Sequence, residues 1–261
     1  MSASFSAEEM MTVAAARLLS NRAVCFVGIG IPSTAANLAR LTHAPDAVLI
    51  YESGTIGAKP SVLPLSIGDG NLAETADTVV STPEVFRYWL QGDRIDVGFL
   101  GAAQLDKFGN LNTTVVGSYR NPQVRLPGAG GAPEISYSAR ETLIVLTQSK
   151  RTFVEKLDFI TTAGFLNRRN AGERSGPFGK GPVAVITDLC ILRPDAVTQE
   201  LMVAHIHPGV TRQTIGARTG WAIKFAPECD ETLPPDVHEL EVLRALKART
   251  AAAYGVQGVV A

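Results

Sequence analysis

Hydrophobic positions along this chain alternate between the spacing of helices and the continuous runs of buried strands. Near the N-terminus one apolar face repeats at helical spacing, formed by Met10, Val13, Ala14, Leu18 and Leu19. Ser6 precedes this face, and Glu8 and Glu9 follow Ser6 in the first turn. A hydroxyl at that position caps free N–H groups and acidic side chains favour a helix start, so the pattern predicts an N-terminal helix.

Short apolar runs and helical stretches then alternate to the end of the chain. We expect strands at residues 23–27, 47–51, 95–100, 141–146 and 183–187. We expect helices at residues 34–41, 85–90 and 236–254. Alternating strands and helices are typical of a mainly parallel sheet covered by helices. The prediction is a single-domain α/β fold over residues 1–261, with an open, mainly parallel sheet and helices on both faces.

Composition and charge argue against nucleic-acid-binding, membrane-spanning and cysteine-dependent classes of protein. The 261 residues are 46% hydrophobic with a formal net charge of −1, which gives no electrostatic footprint for nucleic acid or an anionic membrane. There is no apolar run of about 18 residues and no basic, apolar leader at the N-terminus, so we expect a cytoplasmic protein. Cys25 and Cys190 lie in apolar runs, where a thiolate is disfavoured, and the three cysteines form no CxxC pair.

A glycine turn, Gly28-x-Gly30-x-Pro32-Ser33, follows the first predicted strand and precedes a helix. Free N–H groups at such a helix start suit a phosphate or another anion. A dinucleotide fingerprint would require a third glycine where Ser33 stands. The alternative is a tight turn with proline in the first helical turn, and both interpretations stay open.

Glu52 follows the second predicted strand. Open α/β sheets bind ligands at the carboxyl ends of their strands, and partial burial there could activate a carboxylate as nucleophile or base. The alternative is a solvated acid or a salt-bridge partner, which the frequency of exposed glutamates favours for the residue taken alone.

Residues 101–131 are rich in Gly, Asn, Thr and Pro, as functional loops often are. The glycines at 128, 130 and 131 could point N–H groups at an oxyanion, or form only a flexible turn. Arg125 could pair with a carboxylate or phosphate, although a lone arginine is more often a surface residue. Asn110 belongs to a predicted turn at 106–110 between two extended segments. Residues 167–180 are expected to form an exposed basic loop.

Two other chemistries find little support in the sequence. His205 and His207 would share one face of a strand, but no cysteine or acidic cluster accompanies them, so no metal site is expected. A serine hydrolase is also unsupported because no G-x-S-x-G motif occurs.

Five segments in order resemble the β-type subunit of the family I coenzyme A transferases. They are VGIGIP at 27–32, YESG at 51–54, GAAQLDKFGNLN at 101–112, RLPGAGGA at 125–132 and KRTFVEKLDFIT at 150–161. The resemblance covers nearly the whole chain. It implies a heteromer with an A-type (α) subunit, αβ or α2β2, and coenzyme A as part of the substrate without a covalently bound cofactor.

The resemblance also implies residue roles. Glu52 would attack an acyl-CoA, forming a mixed anhydride and then a glutamyl-CoA thioester. The CoA or oxyanion site would comprise Gly28, Gly30, Asn110, Gly128, Gly130 and Gly131.

Within the family, YESGTIGAKP, PLSIGDG, FLGAAQLD and RLPGAGGAPEI resemble B subunits that hydrolytically open the last steroid ring of a CoA thioester in cholesterol catabolism. This likeness implies retro-Claisen-type C–C cleavage by water, with a base from the A-type partner, Glu52 orienting the water and Arg125 holding the substrate. Ring-opening hydrolysis is the leading functional prediction. The alternatives are a glutaconate- or 3-oxoacid-type CoA transferase subunit, a non-catalytic scaffolding subunit, and a dinucleotide-binding oxidoreductase, which Ser33 weakens.

Overall fold

The structure is a computed structural model that describes residues 4–165 and 179–255. Its helices are α1 Ala7–Ala16, α2 Ile31–Leu41, α3 Gly70–Glu74, α4 Thr82–Glu84, a π-helix at Val85–Leu90, α5 Ala132–Ser138, α6 Arg212–Ala217 and α7 Val237–Tyr254. The first nine strands are β1 Val24–Phe26, β2 Val48–Ile50, β3 Thr55–Ile56, β4 Thr78–Val79, β5 Val97–Leu100, β6 Gln104–Leu105, β7 Leu111–Asn112, β8 Val115–Gly117 and β9 Pro122–Arg125. The remaining strands are β10 Glu141–Val145, β11 Pro182–Ile186, β12 Cys190–Pro194, β13 Leu201–Ile206 and β14 Lys224–Glu231.

The chain divides into two compact units. The first comprises the segments up to Phe99 and from Pro234 onward, and the second comprises Leu100–Leu233. The single domain over residues 1–261 remains a prediction. The α/β fold class with a large, mostly parallel sheet is confirmed, and antiparallel strands add to it.

In the first unit the strand order is β5-β1-β2-β3-β4. Strand β1 pairs in parallel with β2, with Phe26 opposite Ile50, and in parallel with β5, with Phe26 opposite Gly98. Strands β3 and β4 add antiparallel pairs beyond β2. Because β1, β2 and β5 are parallel, the loops that follow them leave from the same edge of the sheet, where open α/β sheets bind ligands.

Helices α1, α2 and α7 pack together in this unit. The predicted N-terminal helix is confirmed, since Ser6 and Glu9 form a reciprocal capping box. It ends at Ala16, so Leu18 and Leu19 lie beyond it, although Leu19 is fully buried. Helix α7 buries three leucines on one face, Leu240, Leu243 and Leu246, as the spacing predicts.

The predicted helix at 85–90 has a different geometry. Serine and glutamate cap the short α4, and the chain then continues as a π-helix that buries Val85 and Leu90. The rings of Phe26 and Phe86 pack edge to face at a centroid distance of 5.9 Å. The wider turn was not visible in the hydrophobic spacing, which predicts helix without distinguishing α from π.

In the second unit the strand order is β14-β13-β12-β11-β10. Pairs β10–β11 and β13–β14 are parallel, whereas β11–β12 and β12–β13 are antiparallel. The polar segment after residue 101 contains two hairpins, β6–β7 and β8–β9. The first hairpin confirms the predicted turn between two extended segments.

No helix in the described ranges is long and apolar enough to cross a membrane. Most of the predicted basic loop at 167–180 lies outside the described residues. Of its last two residues, Lys180 binds Glu141 at 2.6 Å.

Candidate active site

The glycine turn follows β1 directly. Gly30 occupies the position before α2 with a φ of +85°, a left-handed conformation that favours glycine. Pro32 stands in the first helical turn, as expected. The N–H groups of Gly28, Ile29 and Ile31 bind no acceptor within the described part of the chain. The turn therefore presents free donors at the positive end of an 11-residue helix.

The Glu52 turn is built on a second glycine. The Gly54 N–H donates to the Tyr51 carbonyl at 3.0 Å, and the Tyr51 N–H donates to the Thr55 carbonyl at 3.1 Å. Gly54 has a φ of +107°, and a Cβ there would lie 1.9 Å from the Val80 carbonyl oxygen. Only glycine fits, so this residue closes the tight turn that carries Glu52.

The Glu52 side chain is half-buried. Its carboxylate makes no hydrogen bond or ion pair with any residue that the structure describes. Adjacent strands β1 and β2 place Glu52 and the glycine turn at the same edge of the sheet. The salt-bridge alternative for Glu52 therefore finds no partner within these residues, and the carboxylate is left available to a ligand.

Tyr51 anchors the strand end beneath Glu52. Its buried hydroxyl lies 3.0 Å from the Ser33 hydroxyl and accepts from the Asn37 amide at 3.2 Å. Burial raises the pKa of the Tyr51 phenol to about 12, so the side chain stays neutral at physiological pH. This cluster ties β2 to α2. Ser33, the residue that does not fit the dinucleotide pattern, thus contacts Tyr51, and the sequence analysis did not predict this contact. The only indication in the sequence was that the polar residues 33 and 37 lie one helical turn apart, on the same face of a helix.

The glycine-rich loop at 126–131 lies in the second unit, directly after β9. It is bound to the connection between β7 and β8, because the Gly128 N–H donates to the Thr113 carbonyl at 2.9 Å and the Thr113 hydroxyl donates to the Gly128 carbonyl at 2.8 Å. Gly128 and Gly130 have positive φ values of +106° and +48°. The N–H groups of Ala129, Gly130 and Gly131 find no acceptor in the described chain. Three successive free donors suit an anionic oxygen.

Arg125 ends β9 just before this loop and is exposed. Its Nη2 donates to the Tyr119 carbonyl at 3.0 Å, and its guanidinium lies 4.9 Å from the centre of the Tyr119 ring. It forms no ion pair with the residues described. The contacts with Tyr119 orient the positive charge, and no acidic side chain among the described residues neutralises it.

Asn110 is fully buried in the β6–β7 hairpin. Its Nδ2 donates to Asp106 at 2.8 Å and its Oδ1 accepts the Gly164 N–H at 2.8 Å. Burial raises the pKa of the Asp106 carboxyl. These bonds hold the hairpin together, and the predicted role of Asn110 at the CoA site stays a prediction.

The structure therefore groups the predicted residues by unit. Gly28, Gly30 and Glu52 lie at one sheet edge of the first unit. In the second unit, one strand end and its loop carry Arg125, Gly128, Gly130 and Gly131, while Asn110 belongs to a separate hairpin.

The remaining reactive side chains are engaged elsewhere. Burial raises the pKa of the Cys25 thiol and raises that of Cys190 to about 12, so neither is a ready nucleophile. The His207 ring is buried between the Thr187 carbonyl and the Thr232 hydroxyl. Among the described residues, no group of three or more His, Cys, Asp or Glu could hold a metal ion.

Residues 8–217 match the coenzyme A transferase family. The chain belongs to that family. It is 68% identical over 254 residues to the B subunit of the 3-oxoadipate CoA-transferase of Pseudomonas knackmussii, covering 97% of this chain and 98% of that protein. It is 32% identical over 244 residues to the B subunit of the glutaconate CoA-transferase of Acidaminococcus fermentans, covering 91% and 90%. The crystal structure of glutaconate coenzyme A-transferase from that organism superposes with a TM-score of 0.84 at 28% identity, covering 94% of this chain and 95% of that one. The predicted family and the B-type subunit are confirmed.

The leading functional prediction is wrong. The cholesterol ring-cleaving hydrolase IpdB subunit of Mycobacterium tuberculosis is only 24% identical over 242 residues, far below the 68% identity to a CoA-transferase subunit. An enzyme of the CoA transferase family is supported, whereas steroid ring opening, hydrolase or lyase activity and cholesterol catabolism are not. The motifs that suggested a hydrolase describe a scaffold common to several members of the family, so they could not separate one reaction from another.

Proposed function

We infer that this chain is the B-type component of a CoA transferase that acts, with an A-type subunit, on a dicarboxylic acid of the 3-oxoadipate type. The observation that carries the inference is the half-buried Glu52 carboxylate, which has no partner among the described residues and lies at the sheet edge where open α/β sheets bind ligands. The 68% identity to a 3-oxoadipate CoA-transferase subunit supports the substrate class. Coenzyme A enters as part of the substrate, and a cytoplasmic location remains a prediction.

In the proposed reaction a Glu52 oxygen attacks the thioester carbon of the donor acyl-CoA and expels the CoA thiolate, leaving a mixed anhydride. The thiolate then attacks the Glu52 carbonyl of the anhydride, forming a glutamyl-CoA thioester and releasing the donor acid as its carboxylate. The acceptor carboxylate repeats these steps in reverse order, takes the CoA and restores Glu52. No other reactant is consumed, and the first product leaves before the second substrate reacts.

Negative charge develops on the thioester oxygen as Glu52 attacks. The free N–H groups of Gly28, Ile29 and Ile31 lie at the same sheet edge as Glu52 and suit this developing charge. In the second unit, taken by itself, the N–H groups of residues 129–131 and the guanidinium of Arg125 also suit an anionic group. Because these donors are backbone groups fixed by glycine geometry, they need no rearrangement when charge appears.

Replacing Glu52 by alanine in the A/B complex tests the proposal. We expect CoA transfer from 3-oxoadipyl-CoA to succinate to fall by at least about 10³-fold, because the nucleophile is gone. Glu241→Ala is the matched control, since Glu241 is an exposed glutamate on α7 without a partner among the described residues. Its complex should transfer CoA at the wild-type rate.

Assembly has to be measured beside activity. Size-exclusion chromatography should show the same A/B complex for both variants. An intact Glu52→Ala complex that turns over at the wild-type rate would remove Glu52 from the chemistry and favour a scaffolding role for this chain.

A further inference from the structure

The glycine turn and the Glu52 turn leave two adjacent parallel strands of the first unit. The Val27 N–H donates to the Ile50 carbonyl at 2.9 Å and joins the strands just before the two turns begin. Beyond that bond, every hydrogen bond found in the described chain between the Glu52 turn and residues 28–41 involves the Tyr51 hydroxyl. The hydrogen bonds that fix the spacing of the two turns thus converge on one side chain.

Tyr51 takes part in both structures. Its carbonyl accepts the Gly54 N–H at 3.0 Å and its N–H donates to the Thr55 carbonyl at 3.1 Å, so its backbone closes the turn that carries Glu52. Its side chain is fully buried, and its hydroxyl lies 3.0 Å from the hydroxyl of Ser33 in the first turn of α2. One residue therefore connects the turn of the proposed nucleophile with the helix start that presents the free N–H groups.

Asn37 fixes the direction of the hydroxyl contact. Its Oδ1 accepts from Arg40 Nη2 at 3.4 Å, and a guanidinium can only donate, so the Asn37 Nδ2 faces the other way and donates to the Tyr51 oxygen at 3.2 Å. The Tyr51 oxygen receives this proton and gives its own proton to Ser33 Oγ. Burial raises the pKa of the phenol to about 12, so that proton stays in place at physiological pH.

The proposed attack on a thioester depends on the separation between the nucleophile and the donors that receive the developing charge. A displacement of about 1 Å at a reacting centre can lower a rate by about 10²-fold. A buried hydroxyl pair resists such a displacement, because separating the two groups would leave both without a partner and away from water. The contact between Tyr51 and Ser33 is therefore suited to hold this separation constant.

We propose that the Tyr51 hydroxyl, through Ser33, holds the N–H groups of the glycine turn at the separation from Glu52 that attack on the thioester requires. The proposal rests on the proposed CoA transferase function and adds a positioning residue to it. Tyr51 is a positioning residue because its buried side chain acts through its neighbours and is closed off from the substrate.

The first turnover of the A/B complex tests this role. The complex is mixed with 3-oxoadipyl-CoA in the absence of an acceptor acid, and rapid quenching follows the release of 3-oxoadipate per chain. The amplitude measures the fraction of chains that are folded and assembled, whereas the rate constant measures the geometry of attack. Tyr51→Phe should keep the amplitude and lower the rate constant about tenfold, because the ring remains and only the hydroxyl contact is lost.

Ser33→Ala removes the other partner of the same contact. Its rate constant should fall as far as that of Tyr51→Phe, and the double variant should lie within about twofold of either single variant, because both changes break one contact. Effects that multiply in the double variant would show two independent roles and would overturn the proposal. If Tyr51→Phe does not assemble, the rate constant of Ser33→Ala decides by the same criterion.

Tyr254→Phe is the matched control. The Tyr254 hydroxyl donates to Asp69 at 2.5 Å and so joins α7 to the N-cap of α3 within the first unit. Neither helix carries a residue of the proposed site. The control variant loses one tyrosine hydroxyl contact, as Tyr51→Phe does, and should keep both the amplitude and the rate constant of the wild type.

Two negative results have different meanings. If the wild-type complex releases no 3-oxoadipate, the proposed function fails and this inference fails with it. If the wild type reacts and Tyr51→Phe keeps the full rate constant, or loses amplitude alone, CoA transfer stands and the positioning role is overturned.

Discussion

At the scale of single residues, the account depends on which polar groups have partners. Glu52 and Arg125 are left without counterions by the described chain, whereas Asn110, Ser33 and Tyr51 are engaged in hydrogen bonds. The sequence identified Glu52 and Arg125 through motifs, but it could not show that neither forms an ion pair within the described residues. The Ser33–Tyr51 contact joins residues 18 positions apart, so it depends on the pairing of β1 with β2 and on where α2 packs.

His207 gives a pH dependence at this scale. Burial lowers the pKa of its imidazole from 6.5 to about 4; the hydrogen bond to the Thr187 carbonyl and the charge of Asp188 oppose the shift, and His205 adds to it. A carbonyl can only accept, so the Nε2–H donates to the Thr187 carbonyl and the neutral ring fits the site. The unfolded chain therefore takes up this proton first as the pH falls, and stability is lost between about pH 6.5 and pH 4.

Urea unfolding of wild type and His207→Gln at pH 7.5 and pH 4.5 checks this expectation. The wild type should lose up to about 3 kcal/mol more than the variant between the two pH values. His238→Gln, which removes an exposed histidine on α7, should follow the wild type. If the free energy of unfolding of wild type and His207→Gln falls by the same amount between pH 7.5 and pH 4.5, groups other than His207 cause the loss of stability in acid.

At the scale of elements, hydrophobic runs predicted five strands of the large sheet, whereas β12, β13 and β14 were not predicted although they have five to eight residues. Strands β1, β2, β5 and β10 lie within the predicted runs, and β11 begins one residue before its run. Strands β3 and β4 have two residues each and carry too few positions to show a period. The two hairpins at 104–125 lie in a polar segment of the sequence, where Asp106 and Asn112 side chains accept backbone N–H groups and the buried apolar positions are too few to show a period.

The β6–β7 hairpin allows a prediction about Asn110. Asn110→Ala removes the donor to Asp106 and leaves the buried Gly164 N–H unpaired, so stability should fall by about 2–3 kcal/mol. Asn121→Ala, on the exposed turn of the neighbouring hairpin, should change stability by less than about 0.5 kcal/mol.

Urea unfolding measures this difference, and the KM for 3-oxoadipyl-CoA in the A/B complex separates the two roles of the residue. A raised KM with unchanged stability would show that the Asn110 side chain binds CoA instead of supporting the hairpin.

At the scale of the whole molecule, ordered motifs predicted the family and the subunit type, and the reaction was assigned wrongly. The five motifs lie on the glycine turn, the Glu52 turn, the β6–β7 hairpin, the glycine-rich loop and the segment carrying Phe159, which are features of the scaffold. The type of reaction depends on the side chains that contact the acyl-CoA. Some of these belong to the A-type subunit, which is a separate chain. The proposed substrate class rests on relatives whose names denote dicarboxylic acids.

The most direct test of the account is to trap the intermediate on Glu52. The A/B complex is incubated with 3-oxoadipyl-CoA, treated with borohydride, digested and analysed by mass spectrometry. A glutamyl-CoA thioester is reduced to the alcohol, so the peptide carrying Glu52 should lose the mass that corresponds to carboxyl-to-alcohol conversion, and only when the acyl-CoA was present. An unmodified Glu52 in a complex that still transfers CoA would contradict the central claim that this carboxylate is the CoA acceptor.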